Sequence, residues 1–473
     1  MRWVVLLVLG VMFAGAVATD AEARPGGGGS YSSGGSRSSG GSSYRSSSGG
    51  GGGGSGGDAM VLMIGMFFAV IVIAALVQSR ETATVSGIAP TPVSTFQLQP
   101  LVAVDPAFSQ VTFEDFAFQL YARVQRSRGT PARLAELTPY VASDLLALLE
   151  HSPPVAAVVI GSLRIVHVEA PSATMPQVLH VRIEANLATT TGTLNTIERW
   201  SFVRNGGVVT RAPERTRTLP CPNCNAPFAR GTGSRTCAHC NTDIAPGKFD
   251  WTLTEMTVGA TANVGLTLTG TVEEVGNDLV TVVAPDAFVA MQSLYEADKN
   301  VTWAAFEAHV RMIYDQLNTA WNAQNLTPVR GLVTSSLLGY LQFWIDEYKR
   351  QKLANKLEDA KLGRIALAKV TRDPYFDAVT VRVVADGHDF TIDATGSVVG
   401  GSKTSRRLYT EYWTLIRSST RRGPITNTPN CPNCGAPLAI SDAGACTHCN
   451  AEVESGSFDW VLSKIEQDEV YYG

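Results

Sequence analysis

Apolar residues recur at three- and four-residue steps along Trp303, Phe306, Val310, Ile313, Leu317 and Trp321, which marks one face of an amphipathic helix. Leu337, Leu341, Trp344, Ile345 and Tyr348 predict a second helix. The period then falls to two. Val379, Val381 and Val383 alternate with Thr380, Arg382 and Val384, and strand-like runs follow at 390–392 and 408–416. Helices first and an antiparallel meander after them predict an α+β fold, a curved sheet wrapped on long helices, which usually encloses a concave apolar pocket.

The same order occurs earlier in the chain. Phe113, Phe116, Leu120 and Val124 predict a helix, residues 145–149 a second one cut short by Pro153 and Pro154, and strands follow near Ile165, Val181 and Trp200. Val111-Thr112-Phe113 with Phe116 corresponds to Val301-Thr302-Trp303 with Phe306, and Phe249-Asp250-Trp251 to Phe458-Asp459-Trp460. The offset, about 200 residues, is far above a solenoid period, so the pattern means two copies of one domain.

The N-terminal quarter is different in kind. Arg2, an apolar stretch at 3–17 and Ala21-Glu22-Ala23 read as a cleaved signal peptide over 1–23 or as an uncleaved first membrane segment. Residues 24–58 are a Gly/Ser-rich tether that cannot bury enough apolar surface to fold. Residues 59–78 are expected to form a transmembrane helix, their charge-free run reaching about 28 Å at the helical rise. Asp58 on one flank and Arg80 on the other orient the remainder towards the cytoplasm of a bacterial-type inner membrane, as a single-pass protein.

Composition narrows the function. The 473 residues carry a net charge of −4 with 17% charged residues, which disfavours a nucleic-acid-binding protein with a broad basic surface. The expected organisation after the membrane segment is a linker at 79–107, a first domain at 108–216 with a ribbon at 217–255, a linker with short strands at 256–297, and a second domain at 298–426 with a ribbon at 427–466.

All eight cysteines sit in CxxC pairs. Cys221 and Cys224 precede Cys237 and Cys240, and Cys431 and Cys434 precede Cys446 and Cys449, with 12 and 11 residues between the pairs. Two such knuckles aim four thiolates at one point, so each set is expected to hold one structural Zn²⁺ tetrahedrally. The competing chemistry is a redox dithiol, which lacks a thioredoxin-like context here, or disulfides, which need an inverted topology. His239 and His448 occupy equivalent slots in the second knuckles, where four thiolates leave no need for a fifth ligand. The Phe-Asp-Trp segments are expected to be the last ribbon strands docking back.

Catalytic signatures are sparse. No HExxH, phosphate loop or dinucleotide fingerprint appears, and His151, His167, His180, His309 and His388 form no spaced constellation. Glu198 and Glu411 lie two residues before Trp200 and Trp413 and are placed either towards a pocket, as an acid or base, or on a solvated strand face. The basic stretch at 348–357 is expected to continue a helix through Lys349 to Lys356, which meets anionic lipid, an acidic partner or only solvent.

Together these features resemble the bacterial Tim44-like family, whose eukaryotic member is an import-motor subunit on the mitochondrial inner membrane. The residues carrying the resemblance are Phe306, Tyr314, Ala320-Trp321, Leu337, Tyr348 and the run at 353–357, over most of 306–416 and more weakly 113–203. The resemblance implies nuclear-transport-factor-two-like cone domains and a non-catalytic, membrane-associated scaffold that binds protein partners and acidic lipid. The ribbons, the duplication and the shortened helix of the first copy depart from the family. The expectation is therefore a non-enzymatic adaptor holding a protein partner, such as translocation, insertion or chaperone machinery, with anionic lipid and self-association as further contacts and no small-molecule substrate. A lipid or small-molecule carrier using the cone pocket, and an enzyme using Glu411 or Glu198, are the alternatives.

Overall fold

The computed structural model describes residues 98–473, except 171, 190–191, 212–220, 225, 227–235, 265–273, 275, 426–429, 432, 438, 441–444, 452, 454–455, 469–470 and 472. The expected signal, tether, membrane span and most of the linker after it lie outside the described residues. Among the described residues no helix is long and apolar enough to cross a membrane.

The first lobe opens with α1 (Gln99–Val104) and α2 (Gln110–Ser127). Ser109 caps α2 by accepting the Thr112 N–H at 3.0 Å. Phe113, Phe116, Leu120, Tyr121 and Val124 line its buried face, as the three-and-four spacing requires. A short α3 (Pro131–Ala135) and α4 (Ser143–Glu150) follow. Pro153 and Pro154 supply no N–H to continue α4, and the chain enters β1 (Val155–Glu169) directly. With β2 (Gln177–Thr189), β3 (Gly192–Arg204) and β4 (Thr252–Val264), it builds one antiparallel sheet in the order β1-β2-β3-β4.

The second lobe repeats the plan at greater length. It contains α5 (Ala287–Ala297), α6 (Trp303–Asn322), α7 (Ser335–Arg350), β5 (Leu353–Arg372), β6 (Phe376–Asp393), β7 (Val398–Gly401), β8 (Arg407–Ser418) and β9 (Val461–Gln467). The sheet order is β5-β6-β8-β9, with β7 on β6. Thr302 and Thr334 cap α6 and α7 through their hydroxyls, accepting from Ala305 and Leu337 N–H groups. In each lobe the last strand is held beside the loop before a helix by one parallel bridge, Val141 to Leu253 and Val333 to Leu462. The repetition of so small a feature supports duplication of a single fold.

Both cores are filled with aromatic side chains. Trp200, Tyr121 and Phe202 are fully buried in the first, and Trp321, Trp344, Tyr314 and Trp413 in the second. Trp200 and Tyr121 approach to 4.8 Å between ring centres. Each sheet therefore wraps a packed interior where a concave apolar pocket was expected.

Three further expectations change. The Phe-Asp-Trp segments are not ribbon strands: Trp251 and Trp460 enter the cores of the lobes, and the residues after them form β4 and β9 of the main sheets. Each ribbon is thus an insertion before the last strand, and 256–297, expected as a linker with short strands, contains most of β4 and all of α5. The reason is that the alternating residues after each Trp complete a large sheet edge, which buries more apolar surface than a four-cysteine ribbon offers. The expected basic helix also ends early. α7 stops at Arg350, Lys352 turns the chain at φ +59°, and Lys356 lies in β5, a 20-residue strand not foreseen from the sequence. Its broken alternation, with register shifts after Glu358, Leu362 and Leu367, hides the two-residue period.

Candidate metal centres

The two four-cysteine groups are assembled as the spacing predicts. Within each group the four sulfurs lie within 4.8 Å of one another. Cys221 and Cys240 Sγ are 3.9 Å apart, Cys224 and Cys237 3.8 Å, and Cys431 and Cys449 3.8 Å. A tetrahedron with metal–sulfur bonds near 2.3 Å has an edge of about 3.8 Å, so the groups can hold a metal ion without rearrangement. No pair stands at the roughly 2 Å separation of a disulfide.

The knuckles are shaped by backbone. Cys221 N–H donates to Ala226 O, Cys237 N–H to Thr242 O, Cys431 N–H to Ala436 O and Cys446 N–H to Ala451 O, at 2.7–3.0 Å. Asn241, Gly435 and Asn450 turn the chain at φ +53°, +74° and +57°, the left-handed region that Gly and Asn enter most readily. The sulfurs receive matching donors: Asn223 Nδ2 reaches Cys240 and Asn433 Nδ2 reaches Cys449, both at 3.4 Å. His239 and His448 act through their backbone N–H groups, donating to Cys237 and Cys446 Sγ at 3.4 Å. Burial pushes the Cys221 thiol up to about 12, while the hydroxyl of Thr242 and the amide of Asn223 draw Cys240 down to about 6. The Asn433 amide does the same for Cys449, also to about 6. Metal binding must displace protons from the higher thiols, so it strengthens as pH rises.

A clamp that the sequence reading missed closes the base of each insertion. Asp105 Oδ2 accepts from Arg204 Nη2 at 2.8 Å, and Arg204 lies over the Trp251 ring at 4.4 Å. Its counterpart sets Asp298 against Arg417 at 3.2 Å and Arg417 over Trp460 at 5.0 Å. Arg204 is the last residue of β3 and Arg417 the last but one of β8, the strands that lead to the ribbons, and Trp251 and Trp460 immediately precede the returning strands. Four of these six residues are no more than 2% exposed. The repeated Arg at the end of β3 and β8 was the available signal, but an isolated Arg and Asp about a hundred residues apart carry no readable spacing.

Glu198 and Glu411 face inward, and neither lies on a solvated strand face. They are 1% and 0% exposed. Glu198 accepts from Trp200 Nε1 at 2.8 Å, Tyr121 Oη at 2.9 Å and Gln125 Nε2 at 3.1 Å. Glu411 accepts from Trp413 Nε1 at 2.9 Å. These bonds place both carboxylates in the packed core as acceptors for buried donors.

A cavity of about 230 Å³ lies between the lobes. Glu114 and Asp115 of α2 and Arg164 of β1 line one side, and Lys369, Thr380 and Lys464 of the second sheet the other. Glu114 pairs with Lys464, Arg164 Nη2 donates to Glu466 Oε1 at 3.2 Å, and Ser336 Oγ donates to Asp115 Oδ1 at 2.5 Å. Burial opposes ionisation of Glu114, but Lys464 more than offsets it and holds Glu114 below its ordinary value. Burial likewise opposes the Lys464 charge, and Glu114 with Glu466 raises its pKa instead. Lys369 shows burial winning, with its pKa lowered despite Glu114 nearby.

The basic segment at the end of α7 is locally neutralised. Lys349 Nζ donates to Gln324 O at 3.2 Å, Arg350 pairs with Glu347 at 2.5 Å, and Lys356 donates to Asn322 O. Although their sequence spacing forms no constellation, His167 and His180 are cross-strand partners with ring centres 5.4 Å apart.

No curated protein matches the chain. A solved structure titled "Ntf2 like protein involved in plasmid conjugation" is similar at 9% identity and a TM-score of 0.18, over 75% of this chain and 93% of that one. Residues 289–428 match the family model of the Tim44-like domain. That span runs from within α5 through β8 and ends just before Cys431. Residues 289–428 are thus similar to the Tim44-like domain, and the four-cysteine group that follows lies outside the matched span.

Proposed function

We propose that this protein is a non-enzymatic scaffold in which two nuclear-transport-factor-two-like lobes present two zinc ribbons to a protein partner at a membrane. Each four-cysteine group holds one structural Zn²⁺, whose closed sulfur shell leaves no position for a catalytic water. Residues 59–78 supply the anchor, and the lobes work on the cytoplasmic side of a bacterial-type inner membrane. The partner belongs to translocation, insertion or chaperone machinery, in keeping with the Tim44-like domain at 289–428.

The observation that carries this reading is the closed interior of both lobes. Glu198 and Glu411, the two candidate acids, are occupied by indole N–H groups, and aromatic rings fill the space where a substrate would sit. What remains on offer is the surface of the ribbons and of the outer sheet face of the first lobe, together with the cavity of about 230 Å³ between the lobes. Anionic lipid is a weaker second contact, because Lys349, Arg350 and Lys356 already have local partners.

The test is in-cell crosslinking of the full-length protein in its native membrane, followed by mass spectrometry of species attached to the second lobe and ribbons. Reproducible enrichment of translocation, insertion or chaperone proteins is expected. Capture of lipid alone, or of the protein itself alone, overturns the scaffold reading. An activity abolished by Glu411→Gln with the fold and zinc content intact would transfer the function to the enzyme class.

A further inference from the structure

The outer face of the second sheet carries a polar rung across its strands. Lys369 of β5 pairs with Thr380 of β6, Thr380 with Thr414 of β8, and Thr414 with Lys464 of β9. A lysine thus stands at each end, and the two threonine hydroxyls between them are 2.8 Å apart. All four residues line the cavity between the lobes. The threonines are short, so they leave open the space that longer side chains would fill.

The charges around this cavity are matched, with one exception. Glu114 takes Lys464 and also accepts from Gln110 Nε2 at 2.7 Å. Glu466 accepts from Arg164 Nη2 at 3.2 Å. Asp115 accepts from Ser336 Oγ at 2.5 Å and from Gln119 Nε2 at 2.8 Å. Lys369 forms no hydrogen bond and no ion pair with the described residues, and Glu114 and Glu466 reach it only through longer-range attraction. That attraction fails to offset burial, which lowers the Lys369 pKa. Both acids are already committed, to Lys464 and Arg164 respectively. A buried ammonium is ordinarily paired, because its three donors lose water without gaining acceptors.

We infer that the cavity between the lobes is a binding site for a medium-chain aliphatic carboxylate, its carboxylate on the Lys369 ammonium and its alkyl chain against the apolar wall. Phe118 of α2, Leu163 of β1, Tyr340 of α7 and Ile465 of β9 supply that wall, so the ligand touches both lobes. The volume is about 230 Å³, which at roughly 30 Å³ for a water-sized group admits about eight such groups, the size of a six- to eight-carbon acid. A single negative charge fits better than a phosphate dianion, because the second charge would meet Glu114 and Glu466. Charge pairing at one end and apolar burial at the other are the two terms that select an amphipathic ligand. The site goes beyond the scaffold reading and is independent of it, since it uses neither the ribbons nor the filled interior of either lobe.

The experiment is equilibrium dialysis of radiolabelled octanoate against the full chain in lipid nanodiscs, with uptake by empty nanodiscs subtracted. Wild type is expected to bind one saturable equivalent per chain. Lys369→Met keeps the length of the stem and removes the ammonium, so it should weaken binding about 10- to 100-fold. Its thermal melt should stay the same or rise, because a buried charge without a partner has been removed. Butyrate, with a shorter chain to bury, should compete more than tenfold less well than unlabelled octanoate. Octanol, with the chain but no charge, should also compete at least tenfold less well, and this comparison on wild type needs no variant to fold. Saturating octanoate should slow proteolysis between the lobes in wild type and not in Lys369→Met. No saturable binding above empty nanodiscs, equal affinity in Lys369→Met, or octanol competing as well as octanoate overturns the proposal. Crosslinking to a protein partner can succeed or fail without changing any of these outcomes.

Discussion

The same rung crosses both sheets and has met two fates. In the first lobe it reads His167, His180, Ser201, Glu255, and in the second Lys369, Thr380, Thr414, Lys464, at equivalent register beside Trp200 and Trp413. The second rung is roofed by α2 of the first lobe, where Glu114 takes Lys464 and small threonines leave the cavity. The first rung faces outward and keeps open polar chemistry. Inside, the copies barely differ: Val181 and Val381, Trp200 and Trp413, and Glu198 and Glu411 are paired in the same way. An inner face must fill one core volume, so duplication preserves it. The outer face answers to whatever covers it, and only one of the two is covered by its sibling.

The sharpest break of the symmetry is at the ribbons. Cys221→Ser or Cys446→Ser should each remove one ion per chain and unfold only its own ribbon, because structural zinc contributes on the order of 10 kcal/mol to so small a motif. Metal content and limited proteolysis of the full chain check this. Failure of either variant to lose an ion would show that its group is not a metal site. Metal retention should also fall as pH drops, since the four sulfurs must all be deprotonated.

The clamps come next. Arg204→Leu leaves Asp105 buried without its cation and should cost about 3–5 kcal/mol in urea unfolding. Arg417→Leu should cost less, because its ion pair is longer, 3.2 Å against 2.8 Å, and Arg204 has further bonds to Gln177 and Thr210. Equal losses would mean that the stacked Trp251 and Trp460, and not the ion pairs, set the energy.

The contact between the lobes is expected to be weaker. Glu114→Gln should lower stability by about 1–3 kcal/mol and open the lobe boundary to protease. Its pH dependence has two limbs. Glu114 is held below its ordinary value, so its contribution is present above the ordinary carboxylate range near 4.3 and is lost as pH falls through the folded value. Lys464 is raised, so its contribution is present below about 10.4 and is lost only as pH rises beyond that. Urea midpoints of wild type and Glu114→Gln should therefore converge in acid. The smallest effect is assigned to Ser336→Ala, about 0.5–1.5 kcal/mol, for its single bond to Asp115.

Much of this could be read before any coordinates. The faces of α2, α6 and α7, the strands β2, β6 and β8, the duplication and both cysteine groups follow from local period and spacing, because each involves residues that are neighbours along one element or one turn. β5 escaped because its register shifts break the alternation, and the basic helix was overextended because charge alone does not mark where Lys352 turns the chain. The pattern places Glu198 and Glu411 on their strands but does not choose between pocket and solvent, since a strand's alternation does not say how fully the enclosed volume is packed.

By itself the sequence determined the α+β plan, its repetition and the eight thiols, because periodicity and CxxC spacing are properties of short chain segments. Only the tertiary structure decided that the ribbons interrupt their sheets, that Asp105 meets Arg204, that Glu114 meets Lys464 and that His167 meets His180. Those meetings join residues from 13 to 350 positions apart, and strand register and lobe packing, not local pattern, bring such residues together.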